Sequence, residues 1–283
     1  MRWRTGRRSS NIEDRRGRRL AGPIAFKGGV GTIALVLVAS YFLGINPLEI
    51  LQMQTGSGPA VSQSDWKPTA AEQQAADFVS VVLADTEDTW KAIFQKAGQT
   101  YREPTLVLFS GSVSSACGMA SAAMGPFYCP ADQKVYIDLS FFDDLKRRHG
   151  APGDFAQAYV IAHEIGHHVQ NLLGISKQVR SAQRGLGKTQ ANALSVNQEL
   201  QADCFAGLWG NHANRSRQVL EQGDIEEALG AASAIGDDRL QRQAQGYVVP
   251  ESFTHGSSEQ RVEWFKRGIR SGDFDSCDTF GTS

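Results

Sequence analysis

The sequence of 283 residues predicts an α+β protein that is mostly helical, has a small sheet, and follows a single N-terminal transmembrane helix. Three observations support this prediction. Apolar residues recur at helical spacing between Thr69 and Gly98 and again within Ala158–Gln170. Two short segments, Thr105–Phe109 and Val135–Leu139, are rich in β-forming residues and are bounded by turn residues. From Gly28 to Leu48 the chain carries no charged residue, and about 20 apolar residues span a bilayer as a helix.

Charge and composition divide the chain into four regions. Residues 1–27 carry nine Lys/Arg against two Asp/Glu, a net charge of +7, and their low apolar content predicts a disordered segment. By the positive-inside rule this segment is cytoplasmic, residues 28–48 are the anchor, and the body of the protein lies in the periplasm or beyond. Residues 49–68 read as a Gly/Ser/Pro-rich linker and residues 69–283 as the folded domain. A cleaved signal peptide and a buried core helix are the alternatives for the apolar run.

The segment Ala158–Gln170 contains His163, Glu164 and His167 in the pattern H-E-x-x-H. On a helix, residues four apart share a face, so both imidazoles can bind one metal ion. Glu164 projects from an adjacent part of that surface and can reach a metal-activated water without being a ligand. This arrangement is the one needed for zinc-dependent hydrolysis of an amide. A helix with two hydrogen-bonded core histidines is the alternative.

A catalytic zinc site needs a third protein ligand and an open fourth position. One class of zinc hydrolase takes a third His from H-E-x-x-H-x-x-G-x-x-H, but Gln170 and Leu173 occupy the corresponding positions here. Another class takes a Glu from a following helix, and Glu199 is the candidate. Asp203 lies one helical turn further on and would accept the free ring N–H of a histidine ligand, which we expect to be His163. A solvated acidic face is the alternative for this pair.

Local signals also predict where elements begin and end. Thr69 with Glu72, and Asp154 with Gln157, have the spacing of capping boxes that open two helices. The polar, Gly-rich stretch from Gly174 to Ser195 predicts the end of the histidine helix and then a connector.

Four cysteines in an exported domain predict two disulfides. Of the three possible pairings, sequence separation favours Cys117–Cys129 and Cys204–Cys277. A cysteine-ligated structural zinc is the alternative, but no C-x-x-C spacing occurs.

The stretch HEIGHH followed by ELQADCFAG resembles the neutral zinc metallopeptidase family of bacteria, a gluzincin-type branch of the zincins. Similar stretches run from about Asp65 to Phe280. The resemblance implies a zincin-like metallopeptidase domain, one catalytic Zn²⁺ per chain and peptidase activity, with an endopeptidase favoured over an exopeptidase. It also makes Val135–Leu139 the candidate for a sheet edge that binds extended peptide, with an ordinary buried strand as the alternative.

Zinc peptidases commonly need a donor opposite the general base to stabilise the oxyanion of the tetrahedral intermediate. His255 and Tyr247 are the available groups. The sequence T-H-x-x-x-x-x-R around His255 is similar to a segment of related gluzincins, and this resemblance favours His255. A structural role for His255 is the alternative.

Together these features predict a membrane-anchored zinc metallopeptidase that acts on a peptide or protein substrate. Glu164 and His255 are the candidate catalytic residues, and His163, His167 and Glu199 are the candidate zinc ligands. The alternative function is a membrane-tethered binding or assembly factor with a catalytically silent zincin fold. A nucleic-acid-binding arm is the less favoured interpretation of the basic residues 1–27, and no nucleic-acid partner is expected. The sequence predicts neither the substrate nor the oligomeric state.

Overall fold

The computed structural model describes residues 1–17 and 66–281, and every structural statement refers to these ranges. The helices are α1 Ala70–Lys96, α2 Ser140–Arg147, α3 Asp154–Leu172, α4 Ile175–Ala182, α5 Lys188–Arg217, α6 Asp224–Ala234, α7 Asp237–Gln245 and α8 Ser258–Ser271. The strands are β1 Ile12–Asp14, β2 Thr105–Phe109, β3 Ser112–Ser115, β4 Gly118–Ser121, β5 Phe127–Cys129 and β6 Lys134–Asp138. The prediction of a mostly helical α+β domain with a small sheet is confirmed.

One of the two predicted capping boxes is present. The hydroxyl of Thr69 accepts from the backbone N–H of Glu72, whose carboxylate accepts from the backbone N–H of Thr69. The prediction for α3 is wrong, because Gly153 is its N-cap residue and Asp154 is already helical. Asp154 instead accepts a hydrogen bond from the α-ammonium group of Met1.

The predicted connector is mostly helical. Helix α4 and the first two turns of α5 occupy the stretch that we expected to be irregular. Its glycines mark helix ends, since Gly174 ends α3 with a φ of 78° and Gly187 is the N-cap residue of α5. A φ in the left-handed region favours glycine, which explains Gly174 without a loop.

The main sheet has the strand order β1-β2-β6-β5, with β1, β2 and β6 parallel and β5 antiparallel to β6. Both predicted strands are present to within one residue. However, β6 lies between β2 and β5, so the prediction that Val135–Leu139 forms a peptide-binding edge is wrong. The edge on that side is β5. Strands β3 and β4 form a separate antiparallel hairpin.

Alternate residues of β2 and β6 are buried on opposite faces of the sheet, as expected for strands covered on both sides. One face packs against the helices and contributes to the main core Leu106, Leu108, Val135 and Ile137. The other face forms a smaller cluster with the β3–β4 hairpin and contributes Val107, Phe109 and Tyr136. The sheet therefore fixes β5 beside α3, the helix that carries the two motif histidines.

Both predicted disulfides are present. Cys117–Cys129 joins the turn of the β3–β4 hairpin to the end of β5. Cys204–Cys277 joins α5 to the C-terminal tail. One bridge thus braces the sheet edge, and the other braces the helix that carries Glu199.

The basic N-terminal segment is part of the folded domain as far as the structure describes it. Residues Met1–Arg16 form one compact unit with Pro68–Ser283, and β1 pairs with β2. Trp3 is buried and packs edge-on against Phe78 of α1 at 5.3 Å between ring centroids. The expectation that this segment is disordered is therefore wrong for these residues, because Trp3 packs in the core and Arg7 pairs with Glu87 and Asp88 of α1.

The pairing of β1 with β2 constrains the topology. Paired strands lie on one side of a membrane, so a single crossing between residues 17 and 67 would separate them. The predicted arrangement, with residues 1–27 in the cytoplasm and the domain outside, is incompatible with this pairing. The predicted anchor, residues 28–48, and nearly all of the predicted linker, residues 49–68, lie outside the described residues. Among the helices of the described ranges, none has the length and apolar character to cross a bilayer.

Candidate metal centre and its cleft

Close packing of α3 on α5 builds the candidate metal centre. A Cβ added at Gly166 would lie 3.1 Å from both the Cα and the carbonyl oxygen of Ala202, so only a glycine fits here without a shift. Gly166 stands between the two motif histidines. The close approach therefore brings His163 and His167 of α3 directly against Glu199 of α5.

The three predicted ligands meet with a spacing that suits zinc. The Oε2 atom of Glu199 lies 3.2 Å from Nε2 of His163, and its Oε1 atom lies 3.4 Å from Nε2 of His167. Zinc ligands at about 2.0–2.1 Å in a tetrahedron are about 3.3–3.4 Å apart. The donor set, two imidazoles and one carboxylate, is also one that catalytic zinc uses. The residues present therefore fit the metal that the motif predicts.

Asp203 lies behind His163, as predicted. Its Oδ1 atom accepts from Nδ1 of His163 at 2.8 Å, which leaves Nε2, on the side of Glu199, as the nitrogen that can bind a metal. The same oxygen accepts from the hydroxyl of Tyr159, and the side chain of Asp203 is fully buried. This contact fixes both the tautomer and the ring orientation of one metal ligand.

Arg261 of α8 is the main residue of the site that sequence reasoning missed. Its guanidinium donates to both oxygens of Asp203, at 2.8 and 2.9 Å. Helices α5 and α8 can approach this closely because each has a glycine where they cross. A Cβ at Gly207 or at Gly268 would overlap the backbone of the other helix. The arginine of T-H-x-x-x-x-x-R was the available signal, but nothing in the sequence shows that it reaches 58 residues back to Asp203.

The charges of the cluster favour a divalent cation. Asp203 is balanced by Arg261, while Glu164 and Glu199 add two further carboxylates. Burial would raise the pKa of Glu199, but the two histidines lower it well below its usual value. Burial would likewise lower the pKa of His163, and Asp203 raises it to about 10. In the metal-free protein His163 therefore holds a proton that a metal ion would displace.

The cluster lies at the base of a cleft of about 520 Å³. The segment from Ala122 through β5 to Tyr128 lines one side of it, and Glu164 lines the base beside the ligands. His255 also lines the cleft. Tyr247, the rival candidate for the oxyanion donor, is 62% exposed and does not line the cleft.

His255 is held by Asp237, the first residue of α7. Nδ1 of His255 lies 3.2 Å from Oδ1 of Asp237, whose other oxygen accepts from the backbone N–H groups of Thr254 and His255. The hydrogen bond with Asp237 raises the pKa of His255 above its usual value, against the effect of burial. The pairing of Asp237 with His255 is a second feature that the sequence did not predict.

His168 has no part in the metal cluster. Its Nε2 atom donates to the carbonyl oxygen of Arg102 at 2.6 Å, and its Nδ1 atom accepts from the hydroxyl of Tyr128 at 3.1 Å. Burial lowers its pKa to about 4, so the ring is neutral. Its two hydrogen bonds tie α3 to β5 and to the segment that precedes β2.

The site has the features of the H-E-x-x-H class of zinc proteins: two histidines on one helix, an acidic ligand from another, and an adjacent glutamate. A family model described as "Putative neutral zinc metallopeptidase" matches residues 1–280, and the chain belongs to this family. It is 53% identical over 291 residues to the uncharacterized protein YpfJ of Escherichia coli K12, with 100% of both chains covered.

More distant relatives are also uncharacterized. The chain is 39% identical over 256 residues to the uncharacterized protein Rv2575 of Mycobacterium tuberculosis H37Rv, with 85% of each chain covered. The same values hold for the uncharacterized protein Mb2605 of Mycobacterium bovis. No solved structure matches the chain.

Proposed function

We propose that this protein is a zinc-dependent peptidase that holds one Zn²⁺ per chain through His163, His167 and Glu199. The observation that carries the proposal is the position of the Glu199 carboxylate, 3.2 and 3.4 Å from the two imidazole nitrogens. The family supports zinc and peptidase chemistry by its description. The adjacent Glu164 supplies the base that a zinc site for binding alone does not need.

Zinc bound by these residues would act as a Lewis acid toward a water and the scissile carbonyl. Glu164 accepts the proton of the attacking water and later donates it to the leaving amine. Its side chain lines the cleft beside the ligands but is not among the three convergent donors, so its carboxylate is available for proton transfer. The residue is only 8% exposed, which limits competing hydrogen bonds with bulk water.

His255 donates a hydrogen bond to the oxyanion that forms from the carbonyl oxygen. It lines the same cleft as Glu164, and Asp237 favours its protonated form, a charged donor. Asp203 and Arg261 keep His163 in the orientation in which its Nε2 atom faces the metal position.

The substrate that suits the cleft is an extended peptide. Strand β5 is the edge of the main sheet, and residues 122–128 line the cleft. An extended chain can pair with an exposed edge through its backbone, which gives affinity with little dependence on side chains. Such pairing engages the interior of a chain and not its end, so we favour endopeptidase activity.

We further propose that the domain acts in an oxidising compartment, because its four described cysteines form two disulfides. Membrane association through residues 28–48 is part of this proposal, and the β1–β2 pair supports an arrangement in which β1 and the rest of the domain share one side of the membrane. Cell fractionation tests the membrane association, and digestion of intact cells by added protease tests the compartment of the domain. Recovery of the chain as a soluble, fully reduced protein would contradict them.

The test of peptidase function compares the full chain with its Glu164→Gln variant for zinc content and for cleavage of a mixed peptide library. We expect about one zinc per chain in both and cleavage by the parent only, because Gln cannot accept the proton. Glu263→Gln, an exposed glutamate of α8, is the matched control and should cleave normally. Undiminished cleavage by Glu164→Gln would rule out the mechanism. Zinc without cleavage in the parent would favour the binding role.

A further inference from the structure

The second metal-facing histidine has an unexpected partner. Nδ1 of His167 lies 2.9 Å from Oε1 of Gln170, which is three residues further along α3 and therefore on the same face. Gln170 is fully buried. In the pattern H-E-x-x-H-x-x-G-x-x-H of another class of zinc hydrolase, position 170 is the glycine that precedes the third histidine. The motif therefore predicts no role for a glutamine at this position.

The amide of Gln170 is fixed in one orientation. Its Nε2 atom donates to the backbone carbonyl of Gln198 at 2.7 Å and to Oε1 of Gln201 at 3.0 Å. Gln201 in turn donates from its own Nε2 atom to the carbonyl of Cys277 at 3.1 Å. Backbone carbonyls only accept hydrogen bonds, so the nitrogen of each amide must face its carbonyl. The oxygen of Gln170 therefore faces His167.

The consequence reaches the metal position. Because Oε1 of Gln170 can only accept, Nδ1 of His167 must be the protonated nitrogen. Its Nε2 atom is then the nitrogen that can bind a metal, and it lies 3.4 Å from Oε1 of Glu199, where the three ligand atoms converge. The neutral form of His167 that can bind a metal is thus selected by a buried amide.

We propose that Gln170 is a positioning residue that fixes the metal-binding tautomer of His167, and that Gln201 and the carbonyl of Cys277 hold it in place. This inference rests on the metal site of the proposed function. A neutral amide also makes electrostatic sense here. Asp203 already serves His163, and a carboxylate at position 170 would face the carbonyl of Gln198 and add a negative charge beside Glu199.

The test measures zinc affinity of the full chain by competition with a chromophoric chelator, together with the melting temperature of the metal-free protein. Gln170→Met keeps the length of the side chain and removes its acceptor, so we expect zinc affinity to fall about 10- to 100-fold. Gln170→Glu keeps the acceptor for His167 and loses the donor to Gln198. It should lower the melting temperature and yet retain most of the zinc affinity.

This contrast separates positioning from simple packing. If Gln170 only stabilised the fold, Gln170→Glu would lose as much zinc affinity as Gln170→Met, and that result would overturn the inference. Parental affinity in Gln170→Met would overturn it as well. Gln157→Met, thirteen residues earlier on α3, is the control and should bind zinc like the parent.

Two further arms complete the test. Gln201→Met leaves Gln170 bound to the carbonyl of Gln198, so its loss of zinc affinity should be smaller than that of Gln170→Met. If Gln170→Met does not fold, Gln201→Met decides the question. A loss of zinc affinity in Gln201→Met supports the positioning role of Gln170, and parental zinc affinity in Gln201→Met overturns it. A parent that binds zinc without cleaving peptides would refute the peptidase and leave this inference standing. A parent that binds no zinc would refute both.

Discussion

The guanidinium of Arg261 and the carboxylate of Asp203 form a two-point ion pair, with Nε 2.8 Å from Oδ2 and Nη2 2.9 Å from Oδ1. Both side chains are buried, and Oδ1 of Asp203 also accepts from His163. Burial would raise the pKa of Asp203, but Arg261 and His163 lower it to about 2. One carboxylate thus links the metal centre on α3 to a cation on α8.

The first prediction concerns this pair. Arg261→Met should destabilise the protein by about 3–5 kcal/mol, because it removes the guanidinium that pairs with both oxygens of the buried Asp203. Urea unfolding measures the loss. Arg270→Met, an exposed arginine of the same helix, should change stability by no more than about 0.5 kcal/mol. Equal effects of the two substitutions would show that Arg261 does not hold the buried charge.

The second prediction tests the third ligand. Glu199→Ala removes the carboxylate that lies between the two imidazoles, and the purified variant should have lost its zinc. Metal content by mass spectrometry is the measurement. Glu226→Ala changes an exposed glutamate of α6 and should retain the metal. Normal zinc content in Glu199→Ala would exclude this residue as a ligand.

The third prediction is a pH dependence. Because Asp237 raises the pKa of His255, the charged donor persists to higher pH than an ordinary histidine allows. Activity that needs this charge falls as pH rises through that pKa. Asp237→Asn removes the raising influence, so the basic limb of kcat/KM against pH should move to lower pH.

The adjacent residue provides the control for this shift. Asp238 accepts from the backbone and hydroxyl of Ser258, and it is not a hydrogen-bond partner of His255. Asp238→Asn should therefore leave the position of the basic limb unchanged, whatever it does to stability. A basic limb that stays in place in Asp237→Asn would contradict the role of His255.

The metal cluster could be predicted from the sequence because its spacing is local. His163 and His167 are one turn apart, as are Glu199 and Asp203, so helix geometry alone places each pair on one face. Ala202, between Glu199 and Asp203, is small enough for close helix packing, but the sequence does not show which helix packs there. The structure adds Gly166 as the other half of that contact.

The rest depended on contacts that no local pattern encodes. Strand β1 has three residues within an Arg-rich run, and its partner β2 lies more than 90 residues later in the chain. Strand β5 is equally short, so the edge of the sheet was assigned to the longer β6 instead. Arg261 and Gln170 are ordinary polar residues until the helices that surround them are packed.

The fourth prediction concerns His168, whose pKa burial lowers to about 4. Between pH 6.5 and 4 the unfolded chain binds a proton that the folded chain does not, so stability falls as the pH falls through this window. The contribution of this group is roughly 3 kcal/mol over the whole window. His168→Gln keeps a donor for Arg102 and an acceptor for Tyr128, and should lessen the loss of stability on acidification.

Urea unfolding of the metal-free parent and variant at pH 6.5 and 4.5 measures this difference. Working without metal removes the contribution of zinc release, and the other histidines contribute equally to both proteins. An identical loss of stability in the two proteins would show that His168 titrates in the folded state as it does in the unfolded chain.

The last prediction tests the N-terminal segment. Trp3 is 9% exposed and packs against Phe78, so Trp3→Ala should destabilise the whole domain by about 3–5 kcal/mol. A disordered cytoplasmic arm predicts no change. Arg8→Ala, an exposed residue of the same segment, is the control and should leave the unfolding midpoint unchanged. A large effect of Trp3→Ala alone would place the N-terminus on the same side of any membrane as the metal centre, because a side chain that stabilises a core must be inside it.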